Sequence, residues 1–247
     1  MGLRELELVK GAPDNFATRT FAPQKFAPQY EKMSYAAYLE IAGESEIVEW
    51  KNGEVIRYMP PLDRHQDIVR FFAALLDGFV QAFKSGVGRF APLEVKLWPD
   101  GPAREPDILF ISQANRVHLT PKRYEGGPDL VIEVISRGSV AIDRVDKFRE
   151  YEQAGVREYW LIDPRPHQEQ AEFYLLGEDG VYAPGVVGEN GRYTATILPH
   201  FWLDLAWLRQ PELPNPQRVL AEIMITVPTL PAELRTAYET IYRLLPE

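Results

Sequence analysis

Two acidic side chains stand where an unpaired charge is costly. Asp107 follows Pro106 and opens the run Ile108-Leu109-Phe110-Ile111, and Glu133 interrupts Leu130-Val131-Ile132-Glu133-Val134-Ile135-Ser136. A carboxylate in apolar surroundings is expensive unless it is paired or bound to a cation. Two of them on neighbouring strands would form an oxygen-rich pocket suited to Mg2+ or Mn2+. The blander alternative pairs Glu133 with an arginine, or leaves its strand with one wet face. Downstream, Asp143 and Lys147 are four residues apart and share a face of any helix that contains them. As an exposed ion pair they would contribute little. Turned toward the carboxylates, the Lys147 ammonium could hold a substrate phosphate or a water.

These residues need a scaffold, and the surrounding pattern supplies one. Runs at 107–111 and 130–135 are nearly continuous aliphatic residues, as expected for central strands covered on both faces. The run at 93–98 and the buried run at 158–162 add further strands, and a helix is expected over 141–154, ended by Gly155. Asn52-Gly53 between strand-like runs at 46–50 and 54–58 predicts a hairpin, because a type I′ turn needs positive φ at both central positions. The longest helix is expected at 63–85, where Ile68, Phe71, Phe72, Leu75, Leu76, Phe79 and Phe83 fall on one stripe. Asp63 with Gln66 reads as its N-terminal cap and Gly86 as its end. His65 then lies in the first turn, near free backbone amides.

The ends of the chain have a different character. Residues 1–30 read as an extended arm carrying the duplication Phe21-Ala22-Pro23-Gln24 and Phe26-Ala27-Pro28-Gln29, since each proline restricts its neighbour. Its two phenylalanines are expected to dock on the body or on a second subunit. Residues 31–210 read as the main domain, and 211–247 as a proline-rich extension ending in an amphipathic helix at 232–245.

Composition narrows the chemistry. The 247 residues contain no cysteine, which excludes disulfide frameworks, thiolate metal sites and cysteine nucleophiles and fits a reducing, cytoplasmic setting. No apolar run approaches the ~20 residues of a membrane span. The formal net charge of −9 argues against a large sequence-independent DNA footprint, which draws on basic surface, but leaves room for a small basic cleft. No Gly-rich phosphate loop, nucleophile elbow or zinc-type histidine pair is present.

In order and spacing, Pro106-Asp107, Asp129 to Ser136 and Asp143 to Lys147 resemble the Uma-type restriction endonuclease family, a bacterial branch of the PD-(D/E)XK nuclease superfamily. Tyr151, Ala154-Gly155-Val156, Glu158-Tyr159-Trp160 and Asp163-Pro164 continue the likeness, and Asn52-Gly53-Glu54, Met59-Pro60-Pro61 and His65 extend it upstream. It covers residues 35–205. The resemblance implies an α/β (α+β) fold, restriction-endonuclease-like, with a mixed central β-sheet flanked by helices and an N-terminal β-hairpin. It implies Asp107 and Glu133 as metal-binding carboxylates and Lys147 as the lysine supplied from the following helix. In the broader superfamily that lysine sits two residues after the glutamate, where this chain has Ile135; the relocation is typical of the Uma-type branch. Arg137 replaces the proline that commonly follows the serine, a change confined to a loop.

The resulting expectation is Mg2+- or Mn2+-dependent hydrolysis of phosphodiester bonds in nucleic acid, with DNA as the first choice. Asp107 and Glu133 would hold the ion, Glu54 could complete its shell, and His65 could orient water or contact phosphate. Lys147 would stabilise charge on phosphorus, so replacing it should slow turnover and leave ion affinity nearly intact. A homodimer through the arm or the extension is compatible with this. One rival is a non-catalytic nuclease-fold protein that binds nucleic acid or regulates, because fold does not fix function. Another, a two-carboxylate glycosidase, leaves the lysine unexplained.

Overall fold

The computed structural model describes residues 27–42, 47–58, 62–168 and 170–246. Phe21 and Phe26 of the arm, and the Met59-Pro60-Pro61 segment, lie outside the described residues.

Strand β1 (Gln29–Lys32) and helix α1 (Tyr35–Ile41) lead into the hairpin of β2 (Val48–Lys51) and β3 (Glu54–Arg57). At its turn Asn52 and Gly53 have φ of 51° and 83°, the two positive angles that the sequence predicts. Helix α2 (Asp63–Phe83) follows, burying Ile68, Phe71, Phe72, Leu75, Leu76 and Phe79.

Both ends of α2 differ from expectation. Its cap position is Leu62, without a side-chain hydrogen bond, and Asp63 is the first helical residue. There the carboxylate favours the positive end of the helix dipole without acting as a cap. The helix ends at Lys84 in the left-handed region, φ 50°, because Gly86 is needed elsewhere. A Cβ at Gly86 would come within 2.1 Å of the Ile111 carbonyl oxygen, so the glycine serves strand pairing.

The chain continues through β4 (Gly86–Phe90), β5 (Glu94–Lys96), β6 (Ala103–Arg104), β7 (Ile108–Ser112), β8 (Arg123–Glu125) and β9 (Leu130–Val134). A π-helical turn, Ile142–Lys147, passes directly into α3 (Phe148–Ala154). Then come β10 (Glu158–Asp163), β11 (Gln170–Leu176), β12 (Tyr182–Pro184), β13 (Arg192–Thr194) and β14 (Trp202–Asp204). Helices α4 (Ala206–Arg209), α5 (Pro216–Ile225) and α6 (Ala232–Leu244) complete it. Helix α5 arises inside the proline-rich stretch, where no helix was expected. Pro216 occupies the first turn and Asn215 accepts from the amides of Gln217 and Arg218, so this proline starts a helix instead of breaking one.

The central sheet is mixed and six-stranded, in the order β12-β11-β10-β9-β7-β4. Its β9–β10 pair is parallel and β7–β9 antiparallel. The hairpin belongs to a second six-stranded sheet, β1-β3-β2-β6-β5-β8, which the run at 93–98 joins through β5. Alternation along β9 divides its side chains between two cores. Leu130, Ile132 and Val134 pack with α2, and Val131 and Ile135 with Tyr151 of α3. Glu133 therefore points to the α3 side, into the space between the central sheet, the second sheet and that helix. No helix among the described residues is long and apolar enough to cross a membrane.

A candidate carboxylate–lysine active site

Antiparallel pairing of β7 with β9 sets Ile108 opposite Ile132, so one step further Asp107 stands opposite Glu133. Both carboxylates lie at this end of the central sheet, near enough for Asp107 to raise the Glu133 carboxyl pKa. Asp107 is fixed by its backbone neighbours: its Oδ2 accepts the Val134 amide at 2.8 Å. The same oxygen lies 3.3 Å from Nε2 of His65, reached from the first turn of α2. Nδ1 of His65 is buried without a hydrogen-bond partner.

Lys147 reaches Glu133 from the end of the π-helical turn. Its Nζ donates to Glu133 Oε1 at 2.8 Å, and the Tyr151 hydroxyl donates to the same oxygen at 2.8 Å. Lys147 also lies 3.4 Å from Asp143 Oδ1 and 3.0 Å from Glu49 Oε1. The Asp143 contact is a charge attraction only, since that oxygen has no hydrogen-bond partner. The π-helical turn keeps Asp143 and Lys147 on the inner side, where both are buried; such turns recur at functional sites.

Glu49 is the member that sequence reasoning missed. It lies on β2 and accepts from the Tyr58 hydroxyl at 2.5 Å, from Arg104 Nη1 at 2.7 Å and from the Glu105 amide at 3.3 Å. The criterion that singled out Glu133, a carboxylate inside an apolar run, applies equally to Val48-Glu49-Trp50. Glu54, expected to complete the ion's shell, lies at the turn end of the hairpin, opposite Lys51. Arg104, 0% exposed, bridges Glu49 to Glu150 of α3, where its Nε and Nη2 bind the two carboxylate oxygens at 2.7 and 2.9 Å. Lys51 pairs with Glu150 at 2.8 Å from the second sheet. These bonds tie the hairpin sheet to the helix that follows Lys147.

The charges do not balance locally. Burial works to raise the pKa of Glu49, but the Lys147 and Arg104 cations bring it down to about 2. Burial raises the Glu133 carboxyl above its ordinary range, and Asp143, Asp107 and Glu49 add to that rise against the pull of Lys147. Burial likewise raises Asp143, against the pull of Lys147 and of a hydrogen bond with Ser139, with Asp107 and Glu49 adding to the rise. Lys147 stays charged: desolvation opposes this, yet Glu133 and Glu49 hold its pKa well above the ordinary value. Burial and neighbouring Glu49 also push Glu105 up to about 8. One ammonium thus faces more carboxylates than it can neutralise, and the surplus is what an added cation would relieve.

The donors present fit a hard divalent ion in kind: carboxylate oxygens of Asp107, Glu133 and Asp143, one of them unpartnered. Among the described residues no group of three or more His, Asp or Glu is already disposed as a metal shell. An ion held here would take one or two of these carboxylates and complete its shell with other oxygens, as Mg2+ commonly does.

Comparison with known proteins follows the same line. The model of the Uma2 family, described as "Putative restriction endonuclease", matches residues 29–206. Among solved structures, the crystal structure of "a putative nuclease belonging to DUF820" from Anabaena variabilis superposes with a TM-score of 0.51 at 16% identity. The alignment covers 70% of this chain and 95% of that one, and at such identity it speaks for the fold alone. No curated protein matches the chain. The family match spans most of the chain and contains the whole cluster, from Glu49 through Asp107 and Glu133 to Lys147 and Glu150, and on that ground the chain belongs to the Uma2 family.

Proposed function

We propose that the protein is a divalent-metal-dependent endonuclease that hydrolyses phosphodiester bonds, with DNA as its substrate. The observation that carries this reading is the convergence of three separate segments: Lys147 stands 2.8 Å from Glu133, and Asp107, just before β7, accepts the amide of Val134, the residue next to Glu133. Asp107 and Glu133 would hold Mg2+ or Mn2+, with Asp143 as a further oxygen donor. A bound ion supplies Lewis acidity toward a phosphoryl oxygen and makes a water more acidic. Lys147 would offset negative charge developing on the phosphoryl oxygens. His65, with Nε2 on Asp107, would orient a water or contact phosphate beside that carboxylate. The cysteine-free chain suits the reducing cytoplasm, where nucleic acid is available. Assembly as a homodimer through either terminal segment belongs to the same reading, and sedimentation of the full chain tests it.

The test is cleavage of supercoiled plasmid, single-stranded DNA and RNA with Mg2+ or Mn2+, and with chelator. Cleavage should require the ion and fall by about a hundredfold or more in Asp107→Ala and Glu133→Gln, the scale lost with one charge-stabilising group. Lack of cleavage on every substrate, with retained binding, would favour the non-catalytic reading, to which the net charge of −9 lends support.

A further inference from the structure

The surroundings of Lys147 are those of a bound cation more than of an arm waiting for a phosphate. Its ammonium is ringed by Glu133, Glu49 and Asp143 at 2.8, 3.0 and 3.4 Å, in a position 4% exposed. An ammonium has three donors and no acceptor. While it points at these carboxylates it has little left to offer a substrate oxygen.

The carboxylates around it are not held alike. Glu49 has Tyr58, Arg104 and the Glu105 amide as further donors, so it stays satisfied whatever Lys147 does. Glu133 has the Tyr151 hydroxyl besides the lysine. Asp143, 2% exposed, has its Oδ1 buried with no hydrogen-bond partner, although that oxygen faces Lys147. A buried lone pair left open beside an existing cation is a place for a stronger one.

We propose that Lys147 is the resting cation of this site, and that a divalent ion and the Lys147 ammonium compete for Glu133 and Asp143. Ion binding then shifts the ammonium toward Glu49 and turns it to face an incoming anion. The two cations repel one another at this range, so loading the ion favours release of the lysine. Without the ion, the lysine offsets part of the buried negative charge and is held out of reach of phosphate. The purpose of this exchange rests on the nuclease reading, but its test needs no cleavage. It also replaces the expectation that loss of Lys147 leaves ion affinity nearly intact.

The experiment is Mn2+ binding to the full chain, by calorimetry and electron paramagnetic resonance, comparing wild type with Lys147→Met. The exchange requires Mn2+ to bind about tenfold or more tightly to the variant, since a like charge at this range shifts the affinity for a cation by at least one decade. The variant should also melt lower than wild type without the ion and gain more from Mn2+. Lys147→Gln should behave the same way. Equal or weaker Mn2+ affinity in a folded variant overturns the exchange; if wild type still cleaves with the ion, the nuclease reading stands. Failure of both variants to fold at any Mn2+ concentration also overturns it, because the ion then cannot replace the lysine. Absence of Mn2+ binding by wild type and variants alike overturns the exchange together with the metal-dependent reading.

Discussion

Glu49 accepts hydrogen bonds from Tyr58 and Arg104 and faces Lys147, on a strand that carries none of the residues expected in the site. Its folded pKa of about 2 lies below the ordinary 4.5. The stabilisation this represents is fully present above pH ~4.5 and is lost as the pH falls through the folded value. Glu49→Gln should therefore cost about 3–5 kcal/mol near neutrality, the range for breaking a buried ion network. The difference from wild type should shrink steadily below pH ~4.5. Urea unfolding at pH 7 and pH 3 measures it, and an equal difference at both would show that Glu49 is not held ionised by Lys147 and Arg104.

At the scale of elements, the position of Lys147 depends on how α3 is attached to the hairpin sheet. Arg104 supplies that attachment with one guanidinium, binding Glu49 of β2 and both oxygens of Glu150 in α3. Arg104→Met should cost about 3–5 kcal/mol, since two buried carboxylates lose their shared cation. Amide exchange across 142–154, the span of the π-helical turn and α3, should quicken. Arg104→Lys should recover only part of the loss, because a point charge cannot span the fork. Full recovery with lysine would mean that charge alone, without geometry, fixes the helix. A second buried carboxylate makes a useful contrast. Glu158 is saturated by Trp160, Tyr193 and Thr196 side chains and by the Thr196 and Ile197 amides. Those donors join β10 to the 193–197 segment and leave Glu158 no open position for a ligand.

On the scale of the whole molecule, the segment after residue 210 is joined to the core. Helix α5 packs on α2 and buries Val219, Ile223 and Met224, and Leu230 follows them into the same cluster. Each such side chain contributes about 1.5–3 kcal/mol by leaving water, against a total margin of about 5–15 kcal/mol for a domain. A chain ending at Gln210 should accordingly lose cooperative melting and bind a hydrophobic dye. A truncated protein that melts as sharply as the full chain, with the same dye response, would make 211–247 a separable appendage.

Some of this was settled by local chemistry. Asn52-Gly53 made the hairpin legible because few residue pairs tolerate two positive φ angles. The stripe from Ile68 to Phe79 made α2 legible because its period permits only one buried face. Asp107 and Glu133 were conspicuous because charge in an apolar run needs a partner, and the motif order carried the family. The identity of those partners was a different kind of fact. Glu49 joins Lys147 because the fold brings β2 against the π-helical turn, a segment about a hundred residues away in sequence. Gly86 gave up the helix end because Ile111 passes too close for any side chain. Pro216 opened a helix because Asn215 was there to cap it and α2 offered a face to cover. Register and packing between segments distant in sequence decided these points, and neither composition nor periodicity contains that information.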